Sequence, residues 1–165
     1  MKRARSDATS RDRHSLKAIW LVTLSAILLG GAAAYCFRSC QLPWSRPVVV
    51  FSFCVFALGL VLRWYSIIHL GRFFTVDVAI APDHQLVASG PYRFIRHPSY
   101  AGSLLIKFGF ALSFLNWVSF LVIFVPCCAV TLWRIHVEEE ALMDGLGEAY
   151  RSYMRRTKRL IPLIY

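Results

Sequence analysis

The sequence predicts an all-α integral membrane protein with about four transmembrane helices, a short hairpin-like cytoplasmic segment and a C-terminal amphipathic helix. Three observations carry this. Apolar residues make up 57% of the 165 positions and charged ones only 17%, with a mean hydropathy of +0.51. Charge-poor runs of membrane-spanning length recur along the chain. The cations, which give a formal charge of +10, gather at the ends of those runs. So basic a chain would ordinarily raise the question of nucleic acid, but one this apolar places its cations at an anionic lipid surface instead. The partner expected on this ground is membrane lipid, with no nucleic acid.

The first span is the charge-free stretch from Ile19 to Phe37. It follows a basic run with Arg3, Arg5, Arg11, Arg13 and Lys17, and it is longer than a usual signal-peptide core of roughly 7 to 15 residues, so it reads as an uncleaved anchor. Residues 1–15 read as a disordered basic tail, and 16–165 as a single membrane domain. Pro43 and Pro47 introduce a second apolar segment that ends at Leu70, with Arg63 and His69 near its end. The third stretch, Ser99 to Trp133, would be roughly 50 Å long as one helix, against a hydrocarbon core of about 30 Å. It must double back, and Asn116-Trp117 is the natural turn. The predicted spans are thus 17–37, 47–70, 99–115 and 117–134, with both termini on the cytoplasmic side. The five cysteines form no CxxC pattern or Cys/His cluster, so no metal site is expected.

Between the second and third spans, Val76, Val78 and Ile80 alternate, Pro82-Asp83 supplies a turn, and Leu86-Val87 is apolar again, which reads as a short hairpin. Ser89-Gly90-Pro91 is a further turn. Pro98 suits the first position of a helix, and it forces His97 out of helical conformation. The amides of Ser99, Tyr100 and Ala101 would then offer an anion site at a helix start. Arg93, Arg96 and His97 fit interfacial anchoring as well as a site. Farther on, Arg134 and Glu138 share one helical face and His136 lies on another, while Glu138-Glu139-Glu140 could equally be a solvated face. Gly145 and Gly147 break that helix. Tyr150, Tyr153 and Met154 mark an amphipathic piece whose wet side carries Arg151, Arg155, Arg156, Lys158 and Arg159.

Taken in order, Gly90-Pro91-Tyr92-Arg93, Arg96-His97-Pro98-Ser99-Tyr100 with Gly102, then Arg134, Glu138-Glu139, Gly147 and Tyr150 resemble the isoprenylcysteine carboxyl methyltransferase family. The likeness extends over roughly Arg63 to Pro162. It implies an integral membrane enzyme that uses S-adenosyl-L-methionine (SAM) in a helix-built pocket, in keeping with the lack of a GxGxxG fingerprint. By position it places His84, Gln85, Leu86, Val87, Tyr92, His97, Pro98, Ser99, Tyr100 and Glu138 around the cofactor and assigns Arg134 to the substrate. The implied reaction methylates a carboxylate on a prenylated or otherwise lipophilic acceptor. Phospholipid N-methylation on the same scaffold is the alternative chemistry, and a non-catalytic membrane anchor is the alternative class. Two departures stand out: Asp77 where the family often carries an amide, and Lys107 in a span that is usually apolar.

Overall fold

A computed structural model describes residues 2–43, 45–71 and 86–162, with the side chains of residues 15 onward in those ranges. His84, Gln85, Asp77 and the hairpin expected around Thr75–Pro82 lie outside the described residues. Among the described residues there are five α-helices: α1 (Lys2–Cys36), α2 (Arg46–Leu70), α3 (Pro98–Leu112), α4 (Trp117–Leu146) and α5 (Glu148–Arg156). The order across the molecule is α2, α3, α4, α1, since α3 packs on both α2 and α4 while α1 packs chiefly on α4.

The interior is inverted relative to a water-soluble bundle. On α2 the buried residues are Ser52, Gly59 and Ser66, one every seven positions, whereas Phe53 and Ile68 face outward at 64% and 73% exposure. In lipid, apolar side chains gain nothing by leaving the solvent, so helices associate through small residues that let their backbones approach. Gly59 shows how close that approach is. A Cβ there would sit 2.6 Å from the amide nitrogen of Ile106 and 2.7 Å from the carbonyl oxygen of Gly102. Gly102 and Gly109 on α3 meet Arg63 and Phe56 in the same way, so α2 and α3 run antiparallel along a seam of glycine and serine. The two buried hydroxyls of α2 are paired within the helix: Ser52 donates to Val49 O at 2.7 Å and Ser66 to Leu62 O at 2.6 Å. Ala26, Gly30 and Ala33 line the corresponding face of α1 against α4, with Gly30 directly against Ile123.

Residues 2–15, for which the sequence suggests a disordered tail, form the first turns of α1, and Ser15 is fully buried. No proline or glycine precedes Gly30 in this helix, and extending an established helix is far easier than nucleating one. Among the described residues three helical stretches are long and apolar enough to cross a membrane: Ser15–Cys36, Arg46–Leu70 and Trp117–Leu146. The third predicted span is shorter than expected. α3 holds 15 residues, about 22 Å of helix, because the reversal takes up residues 113–116. Asn116 makes that reversal: its Oδ1 accepts from Ser119 N at 3.1 Å and caps α4, and its Nδ2 donates to Phe37 O at 2.8 Å, tying the turn to the end of α1. Leu115 takes a positive φ of 51° so that the chain can turn, and its carbonyl accepts from Leu42 N at 2.7 Å. At the opposite end of the helices α4 continues past Arg134, stops at Gly147, which also has positive φ, and returns as the amphipathic α5, burying Tyr150 and Tyr153.

Candidate active site

Polar side chains collect at one end of the molecule, where the start of α3, the last turns of α4 and the segment after α5 converge. Pro98 begins α3 as its sequence predicts, with His97 at the N-cap. The first intrahelical bond runs from Ala101 N to His97 O at 3.0 Å, so the Ala101 amide is spent within the helix and only those of Ser99 and Tyr100 remain for an anion at the helix start.

The consecutive glutamates of α4 point about 100° apart, as a helix requires, and they do different work. Glu138 is half-buried and accepts a 2.7 Å hydrogen bond from the Tyr100 hydroxyl. That hydroxyl in turn accepts from Arg134 Nε at 3.3 Å. Arg134 is fully buried and also bonds the Ser15 hydroxyl of α1, so three helices meet at one guanidinium. Tyr100, Arg134 and Glu138 are therefore brought together as the sequence suggests.

Glu139 faces inward at 1% exposure, and three cationic or ionisable side chains surround it. Arg96 Nε lies 2.8 Å from Oε1, His97 Nε2 3.3 Å from the same oxygen, and Arg159 Nε and Nη2 2.8 Å from Oε2. Arg96 reaches further and donates to the carbonyls of Met154 and Thr157. The backbone closes the same junction: Arg96 N donates to Lys158 O at 2.7 Å and His97 N to Arg159 O at 3.0 Å. This ionic centre corrects two expectations. Glu139 does not lie on a solvated face, and Arg159 does not lie on the wet side of the C-terminal helix, because a buried carboxylate needs several charge-assisted bonds to offset its lost hydration. His136, by contrast, is exposed and pairs with Glu140 at 3.4 Å.

Tyrosines brace this junction. Tyr153 donates to Tyr92 O at 2.6 Å, and Tyr92 donates to Ser66 O at 3.3 Å, linking α5 through residue 92 to α2. Burial pushes the Tyr153 phenol up to about 12, opposed by the nearby Arg96, so it stays a donor. Burial, then the charge of Glu138, likewise raises Tyr92. Tyr150 lies close enough to Glu139 and Glu138 to feel their charges, and its buried hydroxyl has no hydrogen-bond partner among the described residues. Leu86 and Val87 are half-buried in the segment leading to the Gly90 turn, where Ser89 meets His69 Nε2 at 2.9 Å. Among the described residues no group of histidine, cysteine, aspartate and glutamate could hold a metal.

The donor set suits a charged amphiphile such as SAM. Two amides at a helix start can meet a carboxylate, Glu138 can accept from an ammonium or a ribose hydroxyl, and among the described residues the Tyr150 hydroxyl is a buried polar atom without a partner.

Helices that bury serine and glycine and expose phenylalanine, joined at one end by a buried ionic centre, define a multi-pass integral membrane protein with an enclosed polar site. The profile of the isoprenylcysteine carboxyl methyltransferase (ICMT) family matches residues 50–144. The protein-S-isoprenylcysteine O-methyltransferase of Schizosaccharomyces pombe is 30% identical over 161 residues, covering 90% of this chain and 68% of the relative. Form B of the Arabidopsis thaliana enzyme of the same name is 29% identical, covering 87% and 80%. A solved structure of the eukaryotic intramembrane Ras methyltransferase ICMT superposes with a TM-score of 0.72 at 27% identity, covering 87% of this chain and 52% of that one. The chain thus spans about half the length of the solved protein. It belongs to the isoprenylcysteine carboxyl methyltransferase family.

Proposed function

We propose that this protein is a SAM-dependent carboxyl O-methyltransferase that esterifies a prenylated or otherwise lipophilic acceptor, with its site facing the cytoplasm. The observation that carries this reading is the Tyr100–Arg134–Glu138 cluster, an arginine and a carboxylate placed on one tyrosine hydroxyl inside a family member. When bound, SAM supplies a methyl group on a positively charged sulfur. His97, Pro98, Ser99, Tyr100 and Glu138, with Tyr92 behind them and the neighbouring His84, Gln85, Leu86 and Val87, would hold it.

A carboxylate acceptor is ionised at neutral pH, so no side chain need remove a proton. Placement dominates instead. Arg134 would hold the acceptor carboxylate through charge-assisted N–H bonds and orient it toward the methyl group that SAM would supply, the C–S bond being exchanged for a C–O bond with a neutral thioether as the leaving group. Anion and sulfonium neutralise each other in this step, so a site shielded from water at the membrane boundary favours it. An amine acceptor would require a base. His136 faces outward and His97 Nε2 is held by Glu139, which leaves Glu138, already accepting from the Tyr100 hydroxyl, as the base an amine acceptor would use.

The test supplies labelled SAM with an S-prenylcysteine and with phosphatidylethanolamine. A base-labile ester on the prenylcysteine is the expected product. Arg134→Lys keeps a charge but not the planar grip, so kcat/KM should fall roughly 30- to 150-fold with SAM affinity intact. Label on the amine lipid alone, or a Lys variant with wild-type turnover, would overturn the proposal.

A further inference from the structure

Lys107 is the one cation on α3, and it lies deep in the helix, between Ile106 and Phe108. Its ammonium donates to Thr131 Oγ1 at 3.4 Å, while the Thr131 hydroxyl itself donates to Cys127 O at 2.7 Å. Among the described residues the other ammonium hydrogens have no partner and no carboxylate pairs with the charge. An ionised amine at that depth costs several kcal/mol unless something balances it, and such residues ordinarily line a path for substrate.

The position is specific. Lys107 lies two helical turns beyond Tyr100 on α3, and Thr131 lies one turn before Arg134 on α4, so Lys107–Thr131 belongs to the same α3–α4 seam as Tyr100–Arg134. Helical side chains lean toward the N-terminus of their own helix. Because α3 and α4 are joined by a tight reversal and run in opposite directions, Lys107 leans up the seam toward the site and Arg134 leans down toward Thr131. Glu138 is the acidic member of that seam, and Tyr100 already engages it.

We infer that Lys107 is a second cation of the acceptor site, pairing with the acceptor's carboxylate from the membrane side while Arg134 meets it from above. This rests on the carboxyl-methylation reading. It makes Lys107 a specificity-determining residue, one that favours a lipophilic carboxylate over its neutral carboxamide.

Lys107→Met and Lys107→Arg test it in the full-length protein in nanodiscs. Methionine matches the length without the charge and should raise KM for the prenylcysteine about tenfold or more, while SAM affinity stays within about twofold and Arg restores most of the loss. Competition by the prenylcysteine carboxamide should become closer to that of the free acid in the Met variant. An unchanged KM and an unchanged acid-to-amide ratio would overturn the inference. So would an effect that follows the anionic lipid content of the nanodisc instead of the acceptor. A wild-type protein that methylates no carboxylate would sink the enzymatic reading separately, and direct binding of the prenylcysteine and its carboxamide to wild type and Lys107→Met would still decide the role of Lys107.

Discussion

Arg96 and Glu139, 43 positions apart, form an ion pair at 2.8 Å in which both side chains are at least nine-tenths buried. One belongs to the segment that leads into α3 and the other to the end of α4, so the pair fixes the start of one site helix against the end of the other. Arg159 adds a third element on the far oxygen of the same carboxylate.

Glu139→Gln leaves the buried Arg96 guanidinium, and the partly exposed one of Arg159, without their countercharge. Breaking such a pair from one side costs about 3 to 5 kcal/mol, so the variant should show a large drop in thermal midpoint in detergent. Glu140→Gln should hardly move it, since its 3.4 Å contact with His136 is exposed on both sides. Equal midpoints for the two variants would show that the ionic centre does not brace the fold.

For the neighbouring carboxylate the expected effect is on ligand binding. Tyr100→Phe removes the hydroxyl that joins Glu138 to Arg134, and the loss of a charge-assisted bond should weaken SAM about tenfold. Glu138→Gln and His97→Ala should also weaken it, the former by more than Glu140→Gln does. Titration calorimetry giving wild-type affinity for all three site variants would mean that the pocket lies elsewhere.

The helix seam makes a mechanical prediction. At Gly109 a Cβ would fall 2.6 Å from Ser52 O and 2.7 Å from Phe56 N, both backbone atoms that cannot swing aside. Gly109→Ala should therefore destabilise by about 1 to 3 kcal/mol. Gly31→Ala is the control, because its nearest neighbour is a Phe114 ring carbon at 4.0 Å. A Gly109→Ala protein that unfolds at the wild-type temperature would contradict the close packing of α2 on α3.

Four crossings would put both ends of the chain on one face, as the clustering of cations before Ile19, between Arg72 and Arg96 and from Arg151 to Arg159 predicts. Single cysteines at positions 5 and 155, introduced into a chain with its native cysteines removed, should label from the same side of sealed vesicles. Labelling from opposite sides would mean an odd number of crossings, and α3, the shortest of the four long helices, would be the first to reassign.

Much of this was legible in the sequence because the signals were local. Pro98 marks a helix start through its own ring, Asn116 marks a reversal through its own side chain, and Arg134 and Glu138 share a face through helical spacing alone. Glu139 was opaque for the opposite reason. Its partners come from 43 and 20 positions away, and nothing in the run Glu138-Glu139-Glu140 says which of three identical side chains turns inward. Arg159 sits among Arg155, Arg156 and Lys158, so its charge reads as one more surface cation until the backbone bonds between residues 96–97 and 158–159 bring it across. The short α3 was hidden because hydropathy continues through Phe114 and Leu115, which belong to the turn.

The tie between the Arg96-His97 segment and Lys158-Arg159 also has a consequence for biosynthesis. Every long helix is made before Thr157, so the chain can enter the bilayer helix by helix while the junction that seats His97 and Glu139 is still missing its last strap. During that interval two arginines' worth of compensation for Glu139 is reduced to one, and the site's buried carboxylate remains short of partners. Site assembly therefore depends on a segment that lies beyond the long helices in the chain.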